Sequence, residues 1–339
     1  MEEWVARGAL RGAVVAVGDR SDLVWSAAVG STDGRPLSVS DRFLLTSITK
    51  TLTAVQVLQL VDQGRLDLAR PIAEYLPAFG ANGKESITTW HVLTHTSGMD
   101  QASNTVERWN PRMTAADHLD QALQARLTFA PGSRLEYCSP PFWVLAELVT
   151  RLSGIEYKQH LAREVATPCG MTQTSYELGA TGDWAAAYGL DDTRLADQQR
   201  QVGYPAGGVV STAADLVLFG QMLLAGGQAR EGARVLSPAA IALARASHTD
   251  GVPGDAFGAR RGLGFALGGP GSLRSRDTFG HGGASGTYMW IDPQHECVVV
   301  FLSANWELDR SVLASVCDSV IATRSGMQAS RGPFTTCSM

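Results

Sequence analysis

The sequence predicts a mixed α/β fold, in which an antiparallel sheet draws strands from both ends of the chain and a large helical segment is inserted between them. Three observations predict it. Two strand-like runs stand early, at residues 12–18 (Gly-Ala-Val-Val-Ala-Val-Gly) and 23–29 (Leu-Val-Trp-Ser-Ala-Ala-Val). Strand signals then lapse until a late cluster at 262–268, 277–281, 286–292 and 297–303. Between the two groups the apolar residues recur at helical spacing.

Taken in order, the first two strands are joined by the turn Asp19-Arg20-Ser21-Asp22. The run Thr51–Leu60 follows, and its Leu52, Val55 and Leu58 form a buried helical stripe. Helical periodicity continues at 88–95, 114–125, 140–153, 155–166, 212–225 and 236–247, punctuated by Pro111, Pro131, Pro168 and Pro205. The late strands read as a meander with Asp292-Pro293-Gln294-His295 as a turn, and an amphipathic helix runs from Leu308 to Thr323. The expected division is a discontinuous sheet domain (1–65 and 259–327), a helical domain (66–258) and a tail (328–339).

With 339 residues, 45% hydrophobic and 18% charged, the chain has ample material for a core. A net charge of -5 and no basic run argue against nucleic-acid and membrane-surface partners. No apolar segment is long enough to span a bilayer. The five cysteines (Cys138, Cys169, Cys297, Cys317 and Cys337) are odd in number and scattered, unlike a disulfide framework or a Cys-x-x-Cys metal site. Met1-Glu2-Glu3-Trp4 has no signal-peptide character, so a cytoplasmic location is expected. His91 and His95 have the i, i+4 spacing of zinc ligands. Val92, however, stands where a metalloprotease needs glutamate, and no third ligand suggests itself. Neither a metal nor a cofactor is expected. A Gly-x-Ser-x-Gly elbow and a Gly-x-x-x-x-Gly-Lys phosphate loop are both missing.

The chemistry concentrates at Ser47-Ile48-Thr49-Lys50. The chain has only three lysines (Lys50, Lys84 and Lys158), and only Lys50 has a serine three residues before it. At the head of a helix the two side chains share a face. One reading is an N-cap serine with an exposed lysine. The other is a nucleophile with its base, since burial can strip a lysine of its proton and a serine hydroxyl needs such a base. The helix N-terminus would add N–H groups suited to an oxyanion. Tyr137-Cys138-Ser139 is a second candidate cluster, whose phenol either exchanges protons or packs in a core. A third is Phe279-Gly280-His281-Gly282-Gly283-Ala284-Ser285-Gly286. There the glycines permit close approach of a ligand, and His281 can donate to a bound carboxylate or carbonyl.

Together these segments resemble the serine β-lactamase and penicillin-binding-protein superfamily in its class C-like branch, which includes D-alanyl-D-alanine carboxypeptidases, esterases and acyltransferases. Ser47-x-x-Lys50 matches its first motif, Tyr137-x-Ser139 the second (usually Tyr-x-Asn) and His281-x-Gly283 the third (usually Lys or His, then x-Gly). Residues 87–99 and 205–216 resemble connecting signatures of the branch, and the likeness covers roughly residues 10–325. It implies a β-lactamase-like fold with Ser47 as the acylated nucleophile and with Lys50 and Tyr137 sharing proton transfer. It further implies an oxyanion hole from the backbone N–H groups of Ser47 and Ala284, and substrate contacts from Ser139, His281, Gly282 and Gly283.

Two departures stand out. Ser139 replaces the asparagine that grips an amide side chain, and Gly282 stands where Thr or Ser often binds a carboxylate. Both favour a small-molecule ester or acyl donor, with an amine or alcohol as a conceivable acceptor. A carboxypeptidase or β-lactamase is the alternative, and a catalytically silent ligand-binding relative a further one. Substrate choice is expected to lie in loops 100–112, 180–204 and 248–260, with Trp109 bordering the cleft.

Overall fold

The computed structural model describes residues 1–32, 34–100, 113–177, 202–254, 260–268, 272–303, 305–306 and 308–330. Most of loops 100–112 and 180–204, part of 248–260, and the end of the tail therefore lie outside the described residues.

The strands are β1 (Gly12–Gly18), β2 (Leu23–Thr32), β3 (Arg35–Pro36), β4 (Phe43–Leu44), β5 (Val210–Ser211), β6 (Ala266–Leu267), β7 (Phe279–Gly283), β8 (Thr287–Asp292) and β9 (Cys297–Ser303). Seven of them form one antiparallel sheet in the order β3-β2-β1-β9-β8-β7-β6. The join between the chain's two ends is β1–β9, with Ala13 opposite Ser303 and Gly18 opposite Val298. β1 is buried along its whole length. Its Val14 and Ala16 face the main core, while Ala13 and Val15 face a second cluster with Phe301, Leu308, Val312 and Val316. Burial on both faces is why this strand reads as an unbroken apolar run rather than as an alternation.

The longer helices are α1 (Glu2–Ala6), α2 (Thr49–Asp62), α3 (Thr89–Leu93), α4 (Ala115–Gln124), α5 (Phe142–Ser153), α6 (Ala213–Leu224), α7 (Pro238–Arg245) and α8 (Arg310–Ser330). Four of them, α3, α4, α6 and α7, start after a side-chain cap. Thr88, Thr114, Thr212 and Ser237 accept bonds from the backbone N–H groups of His91, Asp117, Asp215 and Ala240. α2 is buried on all sides from Thr49 to Leu60 and packs against α5. α6 lies on β1 and β9, where Gly220 lets the helix approach Val298 so closely that an added Cβ would sit 2.5 Å from Val298 Cγ1.

One expected strand is cut short. Of 262–268 only Ala266–Leu267 pairs. Gly264 takes φ +77°, and the preceding residues turn aside to other partners: Leu263 N–H donates to Ala244 (2.9 Å) and Gly264 N–H to Leu93 (2.9 Å). The chain here braces α7 and α3 instead of extending the sheet edge. The final helix, in turn, runs to Ser330, past the expected Thr323.

Candidate active site

Ser47 lies on a short 3-10 turn (Thr46–Ile48) that leads into α2, rather than within the helix proper. Thr46 takes φ +45°, a left-handed conformation rare for a β-branched residue. The turn between β7 and β8 holds it there. Ser285 N–H reaches Thr46 Oγ1 (3.4 Å), the two side-chain oxygens are 3.2 Å apart, Ser285 Oγ donates to Leu44 O (2.9 Å) and Thr287 Oγ1 to Leu45 O (2.8 Å). Gly283 is the contact point, because a Cβ there would meet Thr46 Oγ1 at 2.1 Å and Leu45 O at 2.4 Å. On the other side, Leu45 N–H bonds Val209 O (2.8 Å), and β4 pairs with β5.

Two side chains converge on the serine. Tyr137 Oη is 2.8 Å from Ser47 Oγ and Lys50 Nζ is 3.2 Å from it. Lys50 is 1% exposed, donates to Ala206 O (3.0 Å), and sits 4.8 Å from the Tyr137 ring centroid and 5.3 Å from that of Phe142. Burial holds its amine below the usual lysine range; Tyr137 opposes that shift and the charge of Arg261 reinforces it. The exposed-lysine reading of the motif is thereby overturned. Among the other two lysines, Lys84 is buried for a different reason. Its ammonium donates to the carbonyls of Ala81, Leu123 and Ala125 at 2.7, 3.0 and 2.7 Å.

Tyr137 is positioned by His95. Glu136 N–H bonds His95 O (2.9 Å), Cys138 N–H reaches His95 Nδ1 (3.2 Å), and the His95 and Tyr137 rings lie 4.5 Å apart. Burial first, then the charge of Arg261, keeps His95 neutral well below its ordinary range. His91 closes the cap of α3, taking the Thr88 N–H on Nδ1 (3.1 Å). The i, i+4 histidines are thus spent on helix capping and loop support. Sequence reasoning weighed His95 only as a metal ligand; its support of Tyr137 depends on a contact 42 residues along the chain and has no local signature. Ser139, two residues after Tyr137, is buried where the chain turns into α5.

His281 is buried on β7, its ring 6.1 Å from that of Tyr137. Its Nδ1 is 2.6 Å from Gly282 O, so Nδ1 carries the hydrogen and donates it. Burial, and after it the charge of Arg261, holds the ring neutral. Nε2 then carries a lone pair, and it is buried with no hydrogen-bond partner among the described residues. In this tautomer the open nitrogen accepts rather than donates, the reverse of the expected role toward a carboxylate. Gly282 faces Tyr288 across the ladder, and a Cβ at 282 would meet that ring at 2.4 Å. A serine or threonine therefore does not fit at 282 with this ring in place. Ala284 lies exposed in the turn just after β7.

The profile of the family described as Beta-lactamase matches residues 1–314. The chain belongs to the beta-lactamase family. Among its relatives, Protein Rv1367c of Mycobacterium tuberculosis is 31% identical over 352 aligned positions, covering 87% of this chain and 86% of its own. Penicillin-binding protein 4 of Amycolatopsis lactamdurans is 30% identical, covering 86% of this chain and 80% of its own. The structure of EstCE1, described as a hydrolase with promiscuous acyltransferase activity, aligns with TM-score 0.80 at 22% identity over 94% of this chain and 96% of its own. At that identity the likeness is one of fold. Family membership accounts for the mixed α/β architecture with its seven-stranded sheet.

Proposed function

We propose that this chain is a serine esterase or acyltransferase that carries the acyl group of a small-molecule ester on Ser47. The observation that carries the reading is the meeting of a phenol and a buried amine on one serine oxygen, at 2.8 and 3.2 Å. The neutral Lys50 amine takes the Ser47 proton as Oγ bonds to the ester carbonyl carbon. The backbone N–H groups of Ser47 and Ala284 receive the carbonyl oxygen as it becomes an oxyanion. When the C–O bond breaks, Tyr137 passes a proton to the leaving alkoxide and is reprotonated from Lys50. An alcohol, an amine or water then attacks the acyl-enzyme, and the proton path runs in reverse.

The choice of ester over β-lactam or peptide rests on β7. Gly282 offers no hydroxyl to a substrate carboxylate, and the Tyr288 ring occupies the space where one would stand. The relative named as a penicillin-binding protein supports a second reading, in which Ser47 reacts with β-lactams or D-alanyl peptides.

Incubation with a p-nitrophenyl acyl ester and rising concentrations of primary alcohols or amines tests the assignment. The expected result is Ser47-dependent release of p-nitrophenol with acyl-alcohol or acyl-amine product increasing at the expense of free acid. Free acid alone at every acceptor concentration leaves an esterase. Stoichiometric penicilloylation of Ser47 with no ester turnover would favour the second reading.

A further inference from the structure

Arg261 is a charged residue at this site that no motif contains. It is 4% exposed and stands just before the bend at Gly262–Phe265. Its backbone is fixed on both sides, the N–H donating to Thr249 Oγ1 (2.9 Å) and the carbonyl accepting from His248 N–H (2.9 Å). The guanidinium carbon lies 5.4 Å from the ring centroid of Tyr137. Lys50 Nζ lies 4.8 Å from that same centroid. Tyr137 thus packs with a guanidinium at one approach, an amine at another, and the rings of His95 and His281 beside it.

We propose that Arg261 is a positioning residue of this site: its permanent cation, packed against Tyr137, electrostatically excludes a second cation from the catalytic cluster. An arginine cannot give up its proton in a protein, whereas lysine and histidine can. Two positive charges within about 10 Å in a partly desolvated site repel by an amount worth roughly an order of magnitude in a protonation equilibrium. The groups able to yield are Lys50, His95 and His281, and for each of them the charge of Arg261 acts in the same direction as burial. Among the described carboxylates, Glu136 pairs with Arg134 (3.4 Å) and Asp250 with Arg260 (3.4 Å), while Asp100 and Glu136 both act electrostatically on Cys138. The Cys138 thiol is pushed up by burial and stays uncharged. The inference rests on the acyl-enzyme reading for its purpose, since a neutral Lys50 is what lets Ser47 lose its proton.

The scarcity of lysine makes a direct test practical. With lysine labelled by carbon-13 at Cε, only three side-chain signals arise, and Lys50→Met assigns one of them. Their titration is compared in wild type, the neutral variants Arg261→Gln and Arg261→Met, and the charge-keeping Arg261→Lys, with folding checked by near-UV circular dichroism. The proposal expects the Lys50 titration to move to higher pH in the neutral variants and to stay in place in Arg261→Lys. The acid limb of kcat/KM should move with it, giving about a tenfold loss below the limb and recovery above it. An unmoved Lys50 signal in the folded neutral variants, or failure of both neutral variants to fold, overturns the proposal and leaves Arg261 a packing role. Because the resonance is read without substrate, its outcome is separate from whether Ser47 is ever acylated.

Discussion

On the proposed reading, the Ser47 hydroxyl becomes a nucleophile because burial deprives the neighbouring Lys50 amine of water. Ser47→Ala is expected to lower kcat/KM about 10³-fold or more with the fold intact, since Ser47 is half-buried and its removal leaves no large cavity. Lys50→Met should cost about 10²–10⁴-fold, the range expected for loss of a general base, and steady-state kinetics on one ester checks both. The pH dependence follows from Lys50. Its folded-state pKa is depressed by burial, so the neutral amine persists below the ordinary lysine range, and activity falls as pH drops through that lowered value. A kcat/KM profile whose acid limb disappears in Lys50→Met is the expected signature. Ser47 and Lys50 were singled out in the sequence by their spacing, and Tyr137 by the resemblance of Tyr137-x-Ser139 to the family's second motif; the structure brings the three side chains together. His95 and Arg261 were not, because each acts through a contact with Tyr137 that only tertiary packing creates.

At the scale of elements, the nucleophile's turn is held between the β7–β8 turn and the segment around β5. Gly283→Ala would drive a methyl into Thr46 Oγ1, Thr287 Oγ1 and Leu45 O, at 2.1, 2.3 and 2.4 Å. Overpacking of that kind costs about 1–3 kcal/mol, so a lower Tm should accompany slower labelling of Ser47 by a fluorophosphonate. β8 ends on a second polar anchor. Asp292 is buried, yet bonds from Ser275, His295 and Thr278 outweigh the burial and hold its carboxyl at about 2. Since the folded value is depressed, the stabilisation is complete above the unfolded value near 4 and is lost as pH falls toward about 2. Asp292→Asn should therefore cost on the order of 2 kcal/mol at neutral pH and little at pH 2, as read from urea unfolding at the two pH values. Helix positions were legible because apolar residues recur at helical spacing between punctuating prolines. The pairing of β4 with β5 was not, because two-residue strands carry no period, and the bend at Gly264 was hidden because its partners, Leu93 and Ala244, are remote in sequence.

Across the whole molecule, the sheet closes only when the chain's beginning meets its end, with β1 wedged between β2 and β9. Removing residues 1–18 should abolish cooperative unfolding and expose the core to a hydrophobic dye, because both faces of β1 and two ladders are lost. The same closure places β7 beside the turn that bears Ser47, so fold and chemistry depend on one long-range assembly. The measurement that tests this account most directly is mass spectrometry of the protein quenched during turnover of a slow acyl ester. The account predicts an added mass equal to the acyl group, mapped to the peptide containing Ser47 and missing from Ser47→Ala. Turnover with Ser47 unmodified, or an acyl group found on another residue, would contradict it.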